Sequence, residues 1–172
     1  MCPASNRIDI FVQPGEYFVG DEKYRIRTLL GSCVSIVLWH PIKQVGALSH
    51  FLLSSRSAQS PPELDARYGD DAMWLMLRDL KRLNVTTTEC HGKIFGGGNM
   101  FPQQVRSGTA NVGERNGETG RSLLRAHGIR IVSESLFGVG HRQIIFDVKS
   151  GHVWARQVEL IDAHQSELRR TA

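Results

Sequence analysis

Three short apolar segments follow one another in this chain with only turn residues between them: Tyr24 to Leu30, Cys33 to His40 and Val45 to Leu53. Gly31-Ser32 divides the first pair and Pro41 to Gln44 the second. They read as consecutive strands. Ile8 to Val12 and Tyr17 to Val19 add shorter candidates ahead of them, and Lys93-Ile94-Phe95 closes a further strand at Gly96-Gly97-Gly98. Ile129 to Glu134, Arg142 to Val148 and Gly151 to Val158 follow, with Lys149-Ser150-Gly151 as a hairpin turn. Side chains alternate along a strand, so Val34, Ile36 and Leu38 share one face while Cys33, Ser35 and Val37 share the other.

Two helices interrupt the strands. Ser60-Pro61-Pro62-Glu63 carries a cap, a proline at the first helical position and a glutamate three residues on, which predicts a helix from there to about Leu83, closed by Asn84. Leu64, Tyr68, Ala72, Leu75 and Met76 form its apolar stripe, widened by Met73, Leu77 and Leu80. Asn111-Val112-Gly113-Glu114 repeats the cap signal for a second helix ending near His127, with Gly128 beyond it. Gly117 and Gly120 weaken that helix by roughly 1 kcal/mol each, so tertiary packing must hold it. Strands that do not alternate with helices argue against a Rossmann-type wound sheet. The expected class is α+β: a layered mixed or antiparallel sheet system with two helices packed outside. The length of 172 residues suits one domain, with residues 100–110 as a loop inside it and a polar tail over residues 161–172.

Charge and cysteine usage narrow the function. The formal charge is +4, but the basic residues are spread along the chain among acids, which argues against nucleic-acid binding and leaves a mild preference for acidic partners. No apolar run is long enough to span a bilayer, so no membrane insertion is expected, and the start of the chain lacks a signal core. Cys2, Cys33 and Cys90 have no repeated spacing, which fits a reducing cytoplasm better than a disulfide framework. Cys90-His91 has no second pair at zinc spacing, and no metal site is expected. His40, His127, His141, His152 and His164 show no clustering and read as surface residues.

Two residues stand out chemically. Cys33, after Gly31-Ser32 at the mouth of a strand, is either a small core hydrophobe or a thiolate nucleophile with backbone N–H groups nearby for an oxyanion. His50 has the parity of Leu48 and Leu52 and so faces packing; it is either a satisfied core histidine or the base for a thiol brought across a short hairpin. Thr28, Ser32, Ser35 and Asn99 are all available to orient its ring. Gly96-Gly97-Gly98-Asn99 lacks the Lys and Ser/Thr of a P-loop and reads as a tight turn under a site.

Thr28-Leu29-Leu30-Gly31-Ser32-Cys33-Val34, Ser49-His50-Phe51, Phe95-Gly96-Gly97-Gly98-Asn99-Met100-Phe101 and Val112-Gly113-Glu114-Arg115-Asn116 together resemble the CheD chemoreceptor glutamine deamidases. Pro14-Gly15-Glu16-Tyr17, Ile145-Phe146-Asp147 and Ser150-Gly151 extend the resemblance over about residues 8–159. It implies a cysteine-hydrolase fold shared with bacterial toxin deamidases, with Cys33 as nucleophile, His50 as base and Thr28 as third catalytic residue. It implies hydrolysis of receptor glutamine side chains to glutamate and ammonia, and in some relatives of receptor methyl esters, without a metal or organic cofactor. Gly31, Ser32, Gly97, Gly98 and Asn99 would serve the oxyanion or the substrate. The partners implied are methyl-accepting chemotaxis receptors and a CheC-type phosphatase, and a non-catalytic adaptor of that phosphatase is the competing reading.

Overall fold

The computed structural model describes residues 6–103 and 111–158. Cys2, His164, the polar tail and residues 104–110 of the expected loop lie outside the described residues. The order is β1 (Ile8–Phe11), β2 (Tyr17–Gly20), β3 (Tyr24–Leu30), β4 (Val34–His40), β5 (Val45–Ser49), α1 (Gly69–Arg82), β6 (His91–Gly96), α2 (Val112–Ala126), β7 (Arg130–Leu136), β8 (His141–Asp147) and β9 (Val153–Val158). A single 3₁₀ turn, Thr87–Glu89, precedes β6.

The strands form two sheets. One runs β1-β3-β8-β9 and the other β2-β5-β4-β6-β7. Only the β1–β3 and β6–β7 pairs are parallel. The alternation read from the sequence assigns the layers. Val34, Ile36 and Leu38 join Ala72, Met73, Met76, Leu80 and Leu124 in a core between the five-stranded sheet and the two helices. Val37 and Leu48 face the other way, into a second core with Ile26, Leu30, Ile144 and Phe146 of the four-stranded sheet. The molecule is therefore helices on sheet on sheet, the expected α+β class. The chain crosses from one sheet to the other between β3 and β4, at Gly31 to Cys33.

The second helix matches its signals. The Asn111 side chain accepts from the Gly113 N–H at 2.9 Å, and Gly128 takes the left-handed φ of +67° just past the end. Its glycines are places of close approach: a Cβ on Gly117 would come within 2.5 Å of the Phe137 ring, and one on Gly120 would overlap Ile94. Packing against β6 and the β7–β8 connection thus offsets the propensity cost.

The first helix starts later than its apparent cap. Ser60 to Tyr68 is not helical, and α1 begins at Gly69. Pro62 disfavours helical ψ at Pro61. The backbone beyond it is drawn to the strand end: the Leu52 and Leu53 N–H groups donate to the Arg67 carbonyl at 2.9 and 3.0 Å, and the Gly69 N–H donates to Leu53 at 2.8 Å. Three such bonds outweigh one side-chain cap, and Leu64 is left 41% exposed. His40, expected at the surface, is buried at the end of β4, where its Nδ1 accepts from the Lys43 N–H at 3.1 Å.

Candidate active site

His50 lies one residue beyond β5, held through its backbone. Its N–H donates to the Glu16 carbonyl at 2.9 Å and its carbonyl accepts from the Gly15 N–H at 2.8 Å. The side chain is 1% exposed and meets Thr28, which reaches across from β3 of the other sheet. Thr28 Oγ1 lies 2.7 Å from His50 Nδ1 and 2.7 Å from the Val12 carbonyl. A threonine hydroxyl has one hydrogen, and the carbonyl can only accept it. The remaining bond must run from Nδ1–H to Oγ1. This fixes the tautomer and leaves Nε2 as the unprotonated nitrogen.

Cys33 is placed by the same register. Val34 and Phe51 exchange two backbone bonds of 3.0 Å, continuing the antiparallel pairing in which Val37 faces Leu48. Cys33 then stands diagonally from His50, both on the face turned toward the four-stranded sheet. In a regular ladder that diagonal is about 7–8 Å between Cα positions, within reach of a side chain as long as histidine. Thr28 and His50 thus meet between the two sheets, and Cys33, at the crossover, lies on the same face of its sheet as His50.

Burial sets the charge state of both reactive groups. Desolvation lowers the His50 pKa from 6.5 to about 4, with the Val12 carbonyl opposing it. Desolvation raises the Cys33 thiol, opposed by its own backbone N–H. Burial thus favours the neutral form of each side chain. Among the described residues no hydrogen bond engages the Ser32 N–H, and the Cys33 N–H faces only its own thiol.

The glycine run lies beneath this crossover. The Gly97 N–H donates to the Cys33 carbonyl at 2.8 Å and the Gly98 N–H to the Gly31 carbonyl at 2.9 Å. The Asn99 N–H is taken by the Gly138 carbonyl at 2.7 Å, and its Oδ1 accepts from the Phe101 N–H at 3.0 Å. These three N–H groups are engaged within the chain itself, so Gly97, Gly98 and Asn99 form the underside of the Gly31–Cys33 crossover. Gly96, at φ +112°, has no room for a Cβ beside the Cys33 carbonyl. Gly31 sits under Met100, whose Sδ would lie 3.1 Å from an added Cβ.

Asn116 was not assigned a role from sequence. This buried residue of α2 donates through Nδ2 to Ser32 O at 3.2 Å and to Leu52 O at 2.7 Å, tying together the segments that carry Cys33 and His50. The available signal was an asparagine, a poor mid-helix residue, on the buried face of a helix. Asn116→Leu should cost about 2–4 kcal/mol in urea unfolding, because two carbonyls lose their donor in a dry site.

Comparison with known proteins identifies the family. The family model described as CheD chemotactic sensory transduction matches residues 52–157. "Probable chemoreceptor glutamine deamidase CheD 2" of Albidiferax ferrireducens is 64% identical over 152 residues, covering 88% of each chain. "Probable chemoreceptor glutamine deamidase CheD 3" of Dechloromonas aromatica is 40% identical over 85% of each chain. "Probable chemoreceptor glutamine deamidase CheD 1" of Chromobacterium violaceum is 38% identical over 94% of this chain and 84% of its own. A chain matched by the family model over more than half its length, and by such relatives over most of it, belongs to the CheD family.

Proposed function

We propose that the protein hydrolyses the side-chain amide of specific glutamines in methyl-accepting chemotaxis receptors to glutamate and ammonia, with Cys33 as nucleophile and His50 as general base. The observation that carries this reading is the Val12–Thr28–His50 chain, which presents an unprotonated Nε2 on the face that Cys33 shares. Nε2 takes the thiol proton as Sγ attacks the carboxamide carbon. The tetrahedral oxyanion is held by the N–H groups of Ser32 and Cys33, which no other described residue engages. The imidazolium then gives its proton to the departing nitrogen, because amide ion is too basic to leave unaided, and ammonia departs from a thioester. Water, deprotonated by Nε2, attacks the thioester. The thiolate is expelled and recovers the proton from His50, leaving glutamate.

In this reading Gly31 shapes the crossover beneath Met100, and Gly97, Gly98 and Asn99 support it from below. The same steps would cleave a receptor glutamate methyl ester, with methanol in place of ammonia. No helix of the described residues is long and apolar enough to cross a membrane, and we place the protein in the cytoplasm, where receptor signalling helices are accessible. A CheC-type phosphatase is the second partner we propose. The feature that favours it is the outer face of the four-stranded sheet, where Phe11, Leu29 and Trp154 are each about half exposed.

The charge states make a pH prediction. The base form of His50 prevails above about pH 4, so kcat/KM on a receptor cytoplasmic fragment should stay flat from neutrality down to about pH 5. Its acid limb should fall near 4, well below the ordinary imidazole value of 6.5. A limb centred at 6.5 would contradict the desolvated, neutral base.

A further inference from the structure

Arg142 is 2% exposed and lies on the inward face of β8, in line with the buried Ile144 and Phe146. Its register neighbours are Leu30 of β3 and Gln157 of β9. Among the described residues no carboxylate pairs with it. Nη1 donates to the Gly96 carbonyl at 2.8 Å, Nη2 to the Phe137 carbonyl at 2.5 Å and to Gln157 Oε1 at 3.3 Å, and Nε has no partner. A guanidinium kept this dry without an anion is costly, and burial lowers its pKa.

Its carbonyl partners belong to two left-handed turns. Gly96 has φ +112° and Gly97 φ +65°; Phe137 has φ +68° and Gly138 φ +78°. The Phe137 N–H also donates to the Gly96 carbonyl at 2.9 Å, so the two turns are stitched together under the guanidinium. The Gly96 carbonyl and the Gly97 N–H are two ends of one peptide plane. One end receives Arg142, and the other donates to the Cys33 carbonyl at 2.8 Å. A charged donor on the oxygen of a peptide polarises it and strengthens its N–H as a donor. The plane cannot tilt without breaking a charge-assisted bond.

We infer that Arg142 is a positioning residue for the reaction: through the Gly96–Gly97 peptide it fixes the carbonyl, and with it the thiol, of Cys33 relative to His50. The inference rests on Cys33 being the nucleophile. It assigns the buried charge to the site, since two carbonyls and the Gln157 amide would be served as well by a neutral donor if only the fold were at stake.

Two variants of the full chain test it. Arg142→Lys keeps the charge and one donor but loses the planar fork. Arg142→Met removes the buried cation while keeping most of the volume, and the Gly96 and Phe137 carbonyls keep the Phe137 N–H and Gln157 Nε2 as donors. Each is assayed for thermal unfolding, for kcat and KM on a receptor cytoplasmic fragment, and for iodoacetamide modification of the Cys33 peptide across pH. The expected result is folded protein in both, with KM unchanged. The kcat of Arg142→Met falls about a hundredfold, the scale of a misplacement near 1 Å, and Arg142→Lys recovers part of it. Modification of Cys33 slows at least about tenfold at neutral pH in Arg142→Met and then follows a simple thiol titration, because His50 no longer takes the proton. Wild-type kcat and Cys33 reactivity in Arg142→Met would overturn the inference. So would failure of both variants to fold, which would make Arg142 a residue of the fold alone. The reactivity arm decides the matter even if the wild-type protein shows no deamidation, an outcome that would count against the proposed function instead.

Discussion

Cys33→Ala is expected to abolish ammonia release from receptor glutamines while the fold and the receptor-binding surface survive. The substitution removes one sulfur atom from a half-buried position at the sheet crossover, where the backbone is held by Gly97, Gly98 and Asn116 and not by the thiol. Without Sγ no thioester forms. Loss of a member of a catalytic unit typically costs about four orders of magnitude or more in rate. Binding uses a broad surface and should change little. The check is ammonia release from a receptor fragment alongside its affinity for the variant. Wild-type turnover by Cys33→Ala would exclude the covalent route. Absent turnover in both proteins, with binding intact, would favour the adaptor reading.

Thr28→Val should have the next largest effect. Valine fills nearly the same volume at a site that is 2% exposed, so packing is kept. The hydroxyl that joins the Val12 carbonyl to His50 Nδ1 is lost, and with it the bond that favours the Nδ1–H tautomer. A histidine base held in the wrong tautomer costs up to about 10⁴ in kcat, and the effect here should lie at about 10²–10⁴. Two polar groups lose a partner, which should lower stability by about 1–3 kcal/mol. Thr28→Ser restores the hydroxyl and should recover most of kcat. Turnover of Thr28→Val within a few-fold of wild type would show that the ring is oriented by something else.

The fold was legible where a local pattern and the tertiary contacts ask for the same thing. Val34, Ile36 and Leu38 alternate with Cys33, Ser35 and Val37, and two cores on opposite faces of one sheet are what that alternation requires. Asn111 and Gly128 cap α2 as their local signals ask. Ser60-Pro61-Pro62-Glu63 misled because Arg67 and Tyr68 have a better use lying beside Leu53, a contact between segments that no local window contains.

The site divides in the same way. Cys33 and His50 were candidates from residue type and placement, but four side chains competed to orient the ring, and only the family resemblance chose Thr28 among them. Thr28 is brought to His50 from the facing sheet, which strand periodicity does not reveal. Asn116 and Arg142 act through backbone carbonyls, which every residue has, so composition gives no sign of which carbonyl they serve. The glycines were legible as a tight turn; that their N–H groups are spent on Cys33 and Gly31 depends on where the crossover lies.

The covalent step itself is the most direct test. Wild-type protein is mixed with a receptor cytoplasmic fragment, quenched in acid within the first turnovers, digested and mapped by mass spectrometry. The account predicts a glutamine-derived acyl group on the Cys33 peptide, absent from Cys33→Ala, absent from the Cys90 peptide, and lost on brief treatment with hydroxylamine. The buried Cys90, whose thiol burial raises to about 11, should stay unmodified. An acyl group on Cys90, or full turnover with no adduct on Cys33 at any quench time, would contradict it.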